Sequence, residues 1–169
     1  MIILENQILN SQQTLQKIRR MAYQIYERNF EENELILAGI HEKGIEIAKI
    51  LAEELRKIAP ISLRIVTVFL DKFAPLQSSI YLDTELELIE NKTVILIDDV
   101  LNTGRTLAYS LKPFLNIPIK KLQTLLLVDR GYKSFPISAD YVGYELSTTV
   151  KQHVEVVLDN PQTFGVYLY

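Results

Sequence analysis

Residues 94–106 read VILIDDVLNTGRT. Four apolar residues, Val94 to Ile97, run into two adjacent acids, and Gly104 then stands among Thr103, Arg105 and Thr106. A short apolar run closed by turn formers reads as a buried strand, which puts Thr93 to Ile97 in a sheet and Asp98 and Asp99 at the strand's carboxyl end. Two neighbouring carboxylates there repel one another and lose hydration. A ligand with hydroxyls, together with a hard cation, offsets both costs. A ribose cis-diol and Mg²⁺ have that chemistry, because carboxylates accept hydrogen bonds from hydroxyls and attract divalent cations. Asn102 to Thr106 then lead into a helical pattern. Free backbone N–H groups at a helix start form an anion site. Gly104 permits a tight turn, and the threonine hydroxyls add donors. The stretch describes a site for a phosphorylated ribose, with the diol on the acids and the phosphate on the turn. Taken alone, it equally describes an acidic turn before a capped helix that holds no ligand.

Working outward, the chain alternates between two periods. Asn10 to Asn29 is helical, with Leu15, Ile18, Ala22 and Ile25 along one face. Glu34 to Ile40, ELILAGI, reads as a buried strand ending beside a glycine. Gly44 opens a second helix, with Ile45, Ala48, Ala52 and Leu55 on one side, and Pro60 ends it. Ile61 to Leu70 is rich in β-branched residues and reads as a strand. Asp71 to Asn91, with Pro75, Gln77, Ser78 and Ser79, reads as a long loop with room for a short hairpin. A helix over Thr106 to Leu115 and a strand over Lys121 to Val128 follow. Strands alternating with helices predict an α/β fold, an open parallel sheet flanked by helices. Ligands in such sheets collect at the carboxyl edge of the strands. The last pieces, DYVGYEL, HVEVVL and FGVYLY, fit either antiparallel strands or a small flap beside the sheet.

Composition narrows the class. The chain has 169 residues, which suits one domain spanning 1–169, and a core that buries roughly 70% of the unfolded surface at this size. It contains no cysteine, which excludes disulfides and thiolate metal sites and fits a reducing cytoplasm. No apolar run approaches the ~20 residues of a membrane span, and MIILENQ at the start carries Glu5 without a basic region, unlike a secretory signal. A net charge of −3 gives no bulk attraction to nucleic acid.

The segment Asp98 to Thr106 resembles the phosphoribosyl-pyrophosphate (PRPP) motif of type I phosphoribosyltransferases, in which an apolar strand meets two acids and then TG(R/K)T. Arg19 to Asn29, Leu37 to Gly44, and Val128 to Thr149 occur in the order and spacing of the PyrR family, whose members are pyrimidine-operon regulators and uracil phosphoribosyltransferases. The resemblance implies that fold, with a small hood over the sheet edge. It implies that Asp98 and Asp99 meet the ribose hydroxyls and stabilise a cationic sugar. It gives Asn102, Thr103, Gly104, Arg105 and Thr106 to the 5′-phosphate, and His41, Glu42, Lys43 and Gly44 to pyrophosphate. It assigns Tyr141 and Val142 to a hood over the base, Mg²⁺ as cofactor, and PRPP with a free nucleobase, most simply uracil, as substrates. A catalytically weak, nucleotide-binding regulator of pyrimidine genes is the alternative. A homodimer or homotetramer is expected, with Tyr23, Tyr26 and Phe30 supplying apolar surface on the first helix.

Four positions depart from the family pattern. Purine-specific relatives carry an aspartate where Asn102 stands, and an amide cannot take a proton there. Leu70 replaces an arginine in the loop expected to close over pyrophosphate, and Lys72 is the candidate substitute, without the bidentate fork. The pyrophosphate loop reads HEKG rather than ending in TRG. Tyr23 stands in place of a histidine tied to RNA attenuation, although Lys17, Arg19, Arg20 and Arg28 keep the helix basic.

Overall fold

In the computed structural model, residues 4–76 and 78–169 are described. Gln77, counted above in the long loop, and residues 1–3 lie outside that description. The elements in order are β1 (Gln7–Leu9), α1 (Ser11–Asn29), β2 (Glu34–Ile40), α2 (Lys43–Ile58), β3 (Ser62–Phe69), β4 (Tyr81–Leu82), β5 (Thr93–Leu101), α3 (Arg105–Ser110), α4 (Lys112–Leu115), β6 (Lys121–Asp129), β7 (Tyr141–Glu145), β8 (Val154–Val157) and β9 (Gly165–Leu168).

Six strands form one sheet in the order β4-β3-β2-β5-β6-β7, parallel throughout except for β4, which pairs antiparallel with β3 at one edge. Parallel strands need cover on both faces, and the strand residues alternate to supply it. Leu35, Leu37, Ile95 and Ile97 pack under α1 and α2, while Ile36, Ala38, Val94 and Leu96 face Leu107 and Phe114 of α3 and α4. β2 continues through α2 to β3 on one side, and β5 continues through α3 and α4 to β6 on the other. The winding therefore reverses between β2 and β5, and such a switch point leaves a crevice at the strands' carboxyl ends.

The helices follow from sequence with two adjustments. Asn10 caps α1 through a reciprocal box, its side chain accepting from the Gln13 N–H while the Gln13 side chain accepts from the Asn10 N–H. The inner face of α1 is Thr14, Ile18, Met21, Ala22, Ile25 and Asn29. Leu15 was expected on it and is 37% exposed, because a seven-residue step from Ile18 to Ile25 centres the stripe on Met21 and Ala22. Ile18, Met21 and Ile25 are fully buried, at roughly 1.5–3 kcal/mol of transfer free energy each. The single helix expected over Thr106 to Leu115 is two pieces meeting at Leu111. Pro113 has no N–H to give the carbonyl of Tyr109, so the helix stops and restarts.

Two further readings are corrected by the ladder, and the hairpin allowed for in the long loop is present. β5 does not end before its acids: Asp98 pairs with Leu126, Val100 with Val128 and Leu101 with Asp129, so Asp98 and Asp99 lie within the strand. The long loop does carry a hairpin strand, β4 against Val68 and Phe69, followed by a 3₁₀ turn at Leu86–Leu88. DYVGYEL is neither antiparallel nor a flap, since β7 joins the main sheet parallel to β6. The small hood is instead an antiparallel sheet in the order β1-β9-β8. Its Leu9, Val154, Val156 and Val166 share the core under α1 and α2. Among the described residues, no helix is long and apolar enough to cross a membrane.

Candidate active site

The carboxyl ends of β2 and β5 and the inner edge of β8 enclose a cleft of about 670 Å³. Its floor is Asp99, Val100, Asn102 and Thr106; one wall is His41, Glu42 and Lys43; another is Leu70 to Phe73; the hood contributes His153, Val154 and Glu155. A smaller hollow joins Asp98 to the turn Asn102–Thr106. The acid pair, the Asn102–Thr106 turn and the HEKG loop are thus brought to one place.

Two glycines make that convergence possible. A Cβ on Gly44 would strike the carbonyl oxygen of Ile97 and press on Asp98. The missing side chain lets the first turn of α2 lie directly against the acid-bearing strand, carrying Lys43 with it. Gly104 sits at φ +84°, a left-handed conformation that favours glycine, and a Cβ there would also collide with Ile137. It turns the chain from β5 into α3, leaving the backbone of Thr103 to Thr106 around the smaller hollow. The Arg105 N–H is engaged by the Thr103 hydroxyl at 3.3 Å. The His41–Glu42 peptide bond is cis.

The two acids differ. Asp98 is 3% exposed and accepts the N–H of Asp99 at 2.9 Å, whereas Asp99 is partly open to the cleft. Burial first, and the charge of Asp99 second, push the Asp98 carboxyl up, against the pull of Lys72. The Lys72 ammonium lies 3.2 and 3.4 Å from the two Asp98 oxygens and 4.0 Å from Asp99 Oδ1. Burial pulls Lys72 down, but Asp98 and Asp99 outweigh it and hold the ammonium above its usual range. A cation at the acid pair is therefore part of the site's own chemistry, and here a lysine provides it.

The donor set fits Mg²⁺ in that sense. Among the described residues no cluster of three or more metal-ligating side chains exists. Mg²⁺ in phosphate chemistry is held by one or two carboxylates with substrate oxygens and water, so a pair is enough. When bound, the ion would neutralise a leaving phosphate and orient its oxygens.

Tyr141 and Val142 are placed elsewhere. Tyr141 is buried beneath α1, its hydroxyl donating to Gln123 at 2.9 Å and accepting from Asn29 at 3.2 Å, with the Arg28 guanidinium 4.9 Å above the ring. Val142 shares that edge strand, and its carbonyl accepts from Arg20 at 2.8 Å. The wall facing the acids is β8 and the residue before it. Sequence reading missed His153 to Glu155, because HVEVVL carries only an alternating strand signal. It also missed Arg130, which follows Asp129 at the end of β6 and in sequence looks like an ordinary surface charge.

A model of the phosphoribosyl transferase domain matches residues 5–161. Bifunctional protein PyrR of Haemophilus ducreyi is 38% identical over 160 residues, covering 90% of this chain and 89% of that one. PyrR of Caldicellulosiruptor bescii is 32% identical over 163 residues, covering 90% and 88%. The hypoxanthine phosphoribosyltransferase of Trypanosoma cruzi superposes with a TM-score of 0.80 over 97% of this chain and 95% of that one, at 20% identity, a likeness of fold. Matched over nearly its whole length by the domain model and by these relatives, the chain belongs to the type I phosphoribosyltransferases and resembles their PyrR members.

Proposed function

We propose that this protein transfers the 5-phosphoribosyl group of PRPP to a pyrimidine base, with uracil the first candidate, releasing pyrophosphate. The observation that carries this reading is the convergence, at the β2/β5 switch point, of Asp98 and Asp99, the Asn102–Thr106 turn and the Lys43 loop around one cleft. In the reaction a base ring nitrogen bonds to C1′ as the C1′–O bond to pyrophosphate breaks, and the ring N–H proton is lost. Positive charge gathers on the sugar in between, and Asp99, open to the cleft, is the group best placed to stabilise it. Thr103 to Thr106 supply hydroxyls and backbone N–H groups for the 5′-phosphate, and Lys43 supplies charge for the leaving pyrophosphate. Asn102 disfavours a purine reaction that depends on a carboxylate at that position. Incubation with PRPP, Mg²⁺ and a panel of free bases, reading pyrophosphate release, tests it. UMP formation is the expected product, and no release with any base at any pH between 6 and 9 overturns the reading.

A second reading has its own observation. Leu70 lies on the loop wall where the family pattern carries arginine, and Lys72 from the same loop is spent on the acid pair. A regulator that binds pyrimidine nucleotide with slow turnover fits that arrangement. Calorimetric UMP binding without pyrophosphate release selects it over the first.

A further inference from the structure

Residues 147–152 lead from β7 to the hood strand β8 and join neither sheet. Just before them the Leu146 N–H donates to the Asp129 carbonyl, and just after them the His153 N–H donates to the Tyr169 carbonyl. Between those two anchors the segment bonds itself: the Gln152 N–H donates to the Thr149 carbonyl and the Thr149 N–H to the Gln152 side chain. Val150, its large apolar residue, is 74% exposed, so the segment has no apolar anchor of its own.

Arg130, which follows β6, supplies the fastening. The side chain is 8% exposed and donates to four neutral oxygens. Three belong to the segment: Thr148 Oγ1 at 2.9 Å, the Thr149 carbonyl at 3.2 Å and the Gln152 carbonyl at 2.7 Å. Among the described residues, no other hydrogen bond joins 147–152 to the rest of the molecule. The fourth acceptor is Asn102 Oδ1 at 2.7 Å, on the cleft floor. The Arg130 backbone N–H also donates to the carbonyl of Leu101, the residue before Asn102. A guanidinium holds its donors in a rigid planar fork, so acceptors that share one are set relative to one another. Gln152 directly precedes His153, Val154 and Glu155, the hood wall of the cleft. One buried side chain therefore spans the distance from floor to hood.

We infer that Arg130 is a positioning residue which sets the hood wall at a fixed distance from the cleft floor, and so decides how tightly the cleft holds whatever a ligand carries beyond its sugar phosphate. The acids and the Asn102–Thr106 turn lie on the floor, and the hood bounds the space above them. A wall placed before binding spares the ligand the cost of ordering it. This role rests on the proposed phosphoribosyl site.

Calorimetry with UMP and with ribose 5-phosphate separates the two parts of such a ligand. Both present the same phosphate to the turn, so a change confined to the turn cancels in their affinity ratio, and only UMP reaches past the sugar. Arg130→Lys keeps the charge and loses the fork, and the UMP-to-ribose 5-phosphate ratio is expected to fall about tenfold. Thr148→Val removes one of the three bonds to the segment at a residue outside the cleft lining, and should lower the ratio about threefold. It carries the test alone should Arg130→Lys fail to fold. Amide hydrogen exchange gives a second readout: residues 147–152 should exchange faster in either variant, with β5 and β6 at wild-type rates. A variant that melts lower with the ratio unmoved has lost only a structural bond and overturns the inference, as does unchanged exchange in the segment. Binding of both compounds with an unmoved ratio defeats this inference alone, whereas binding of neither to the wild-type protein defeats the site itself.

Discussion

At the scale of single residues, the acid pair is held in balance by a lysine from another loop. Asp98 is buried, faces Asp99, and would be a poorly solvated charge without Lys72. Removing one partner of a buried pair costs more than the pair itself contributes, because the remaining charge is left uncompensated. Lys72→Ala is therefore expected to lower the melting temperature in the absence of divalent cations. Added Mg²⁺ should restore more of that stability in the variant than it adds to the wild-type protein, since the ion takes up the position the ammonium leaves. Thermal melts across a Mg²⁺ titration measure both effects. Equal Mg²⁺ responses in the two proteins would separate the lysine from the cation site. None of this was legible in the sequence: the two aspartates were read as a place for a ligand's cation, and nothing in LDKFAP distinguishes a lysine that reaches Asp98 from one in solvent.

At the scale of elements, the strongly patterned pieces were readable and the junctions were not. β2 is buried on both faces from Leu35 onward, so LILAGI is apolar throughout and unmistakable. β7 was misjudged because an edge strand of a parallel sheet and a strand of a small hood share the same alternation, and only pairing with β6 separates them. The break at Leu111 follows from Pro113, a local signal that the apolar spacing of the segment masked. The approach of α2 to β5 rests on Gly44. Gly44→Ala must move the Ile97 backbone or α2, and is expected to cost ~2 kcal/mol, seen as a lower urea midpoint with unchanged slope. Helix α2 also carries Glu54, which accepts from Lys57 at 2.8 Å and from Arg19 of α1 at 2.9 Å. The Lys57 hydrogen bond lowers its carboxyl below the ordinary 4.5; burial opposes this, and Arg19 adds to the lowering. A depressed folded value means stability present above the unfolded value and lost as pH falls through the folded one. Glu54→Gln should therefore melt below wild type at pH 7, with the gap closing below about pH 4. A gap that stays constant to pH 3 would show that Glu54 contributes by packing alone.

At the scale of the whole molecule, one core joins the main sheet to the hood, so the two walls of the cleft are held by shared packing rather than by a hinge. The basic residues of α1 are committed within the chain. Arg19 bonds Glu54, Arg20 the Val142 and Gly143 carbonyls, and Arg28 the Asp140 carbonyl, while Lys17 lies 5.7 Å from the Tyr144 ring centre. Arg19 ties α1 to α2, the other three tie it to the edge strand β7 and the residue before it, and an RNA contact by this face would have to share them. The apolar surface of α1 lies beside them. Tyr23 is 55% and Phe30 65% exposed, whereas Tyr26 packs against the core. Self-association through this helix is expected, and light scattering at micromolar concentration should give a dimer or tetramer that Phe30→Glu shifts toward monomer. A monomeric wild-type protein would remove that expectation.

The account turns on whether the buried-and-open acid pair and the glycine turn together hold a sugar phosphate. Calorimetry of PRPP with Mg²⁺ on the wild-type protein and on Asp99→Asn reads this most directly. The account predicts one site per chain in the wild-type protein and a loss of about a hundredfold or more in the rate of pyrophosphate release for Asp99→Asn. No heat of PRPP binding in the wild-type protein, or an unchanged rate in the variant, would contradict it.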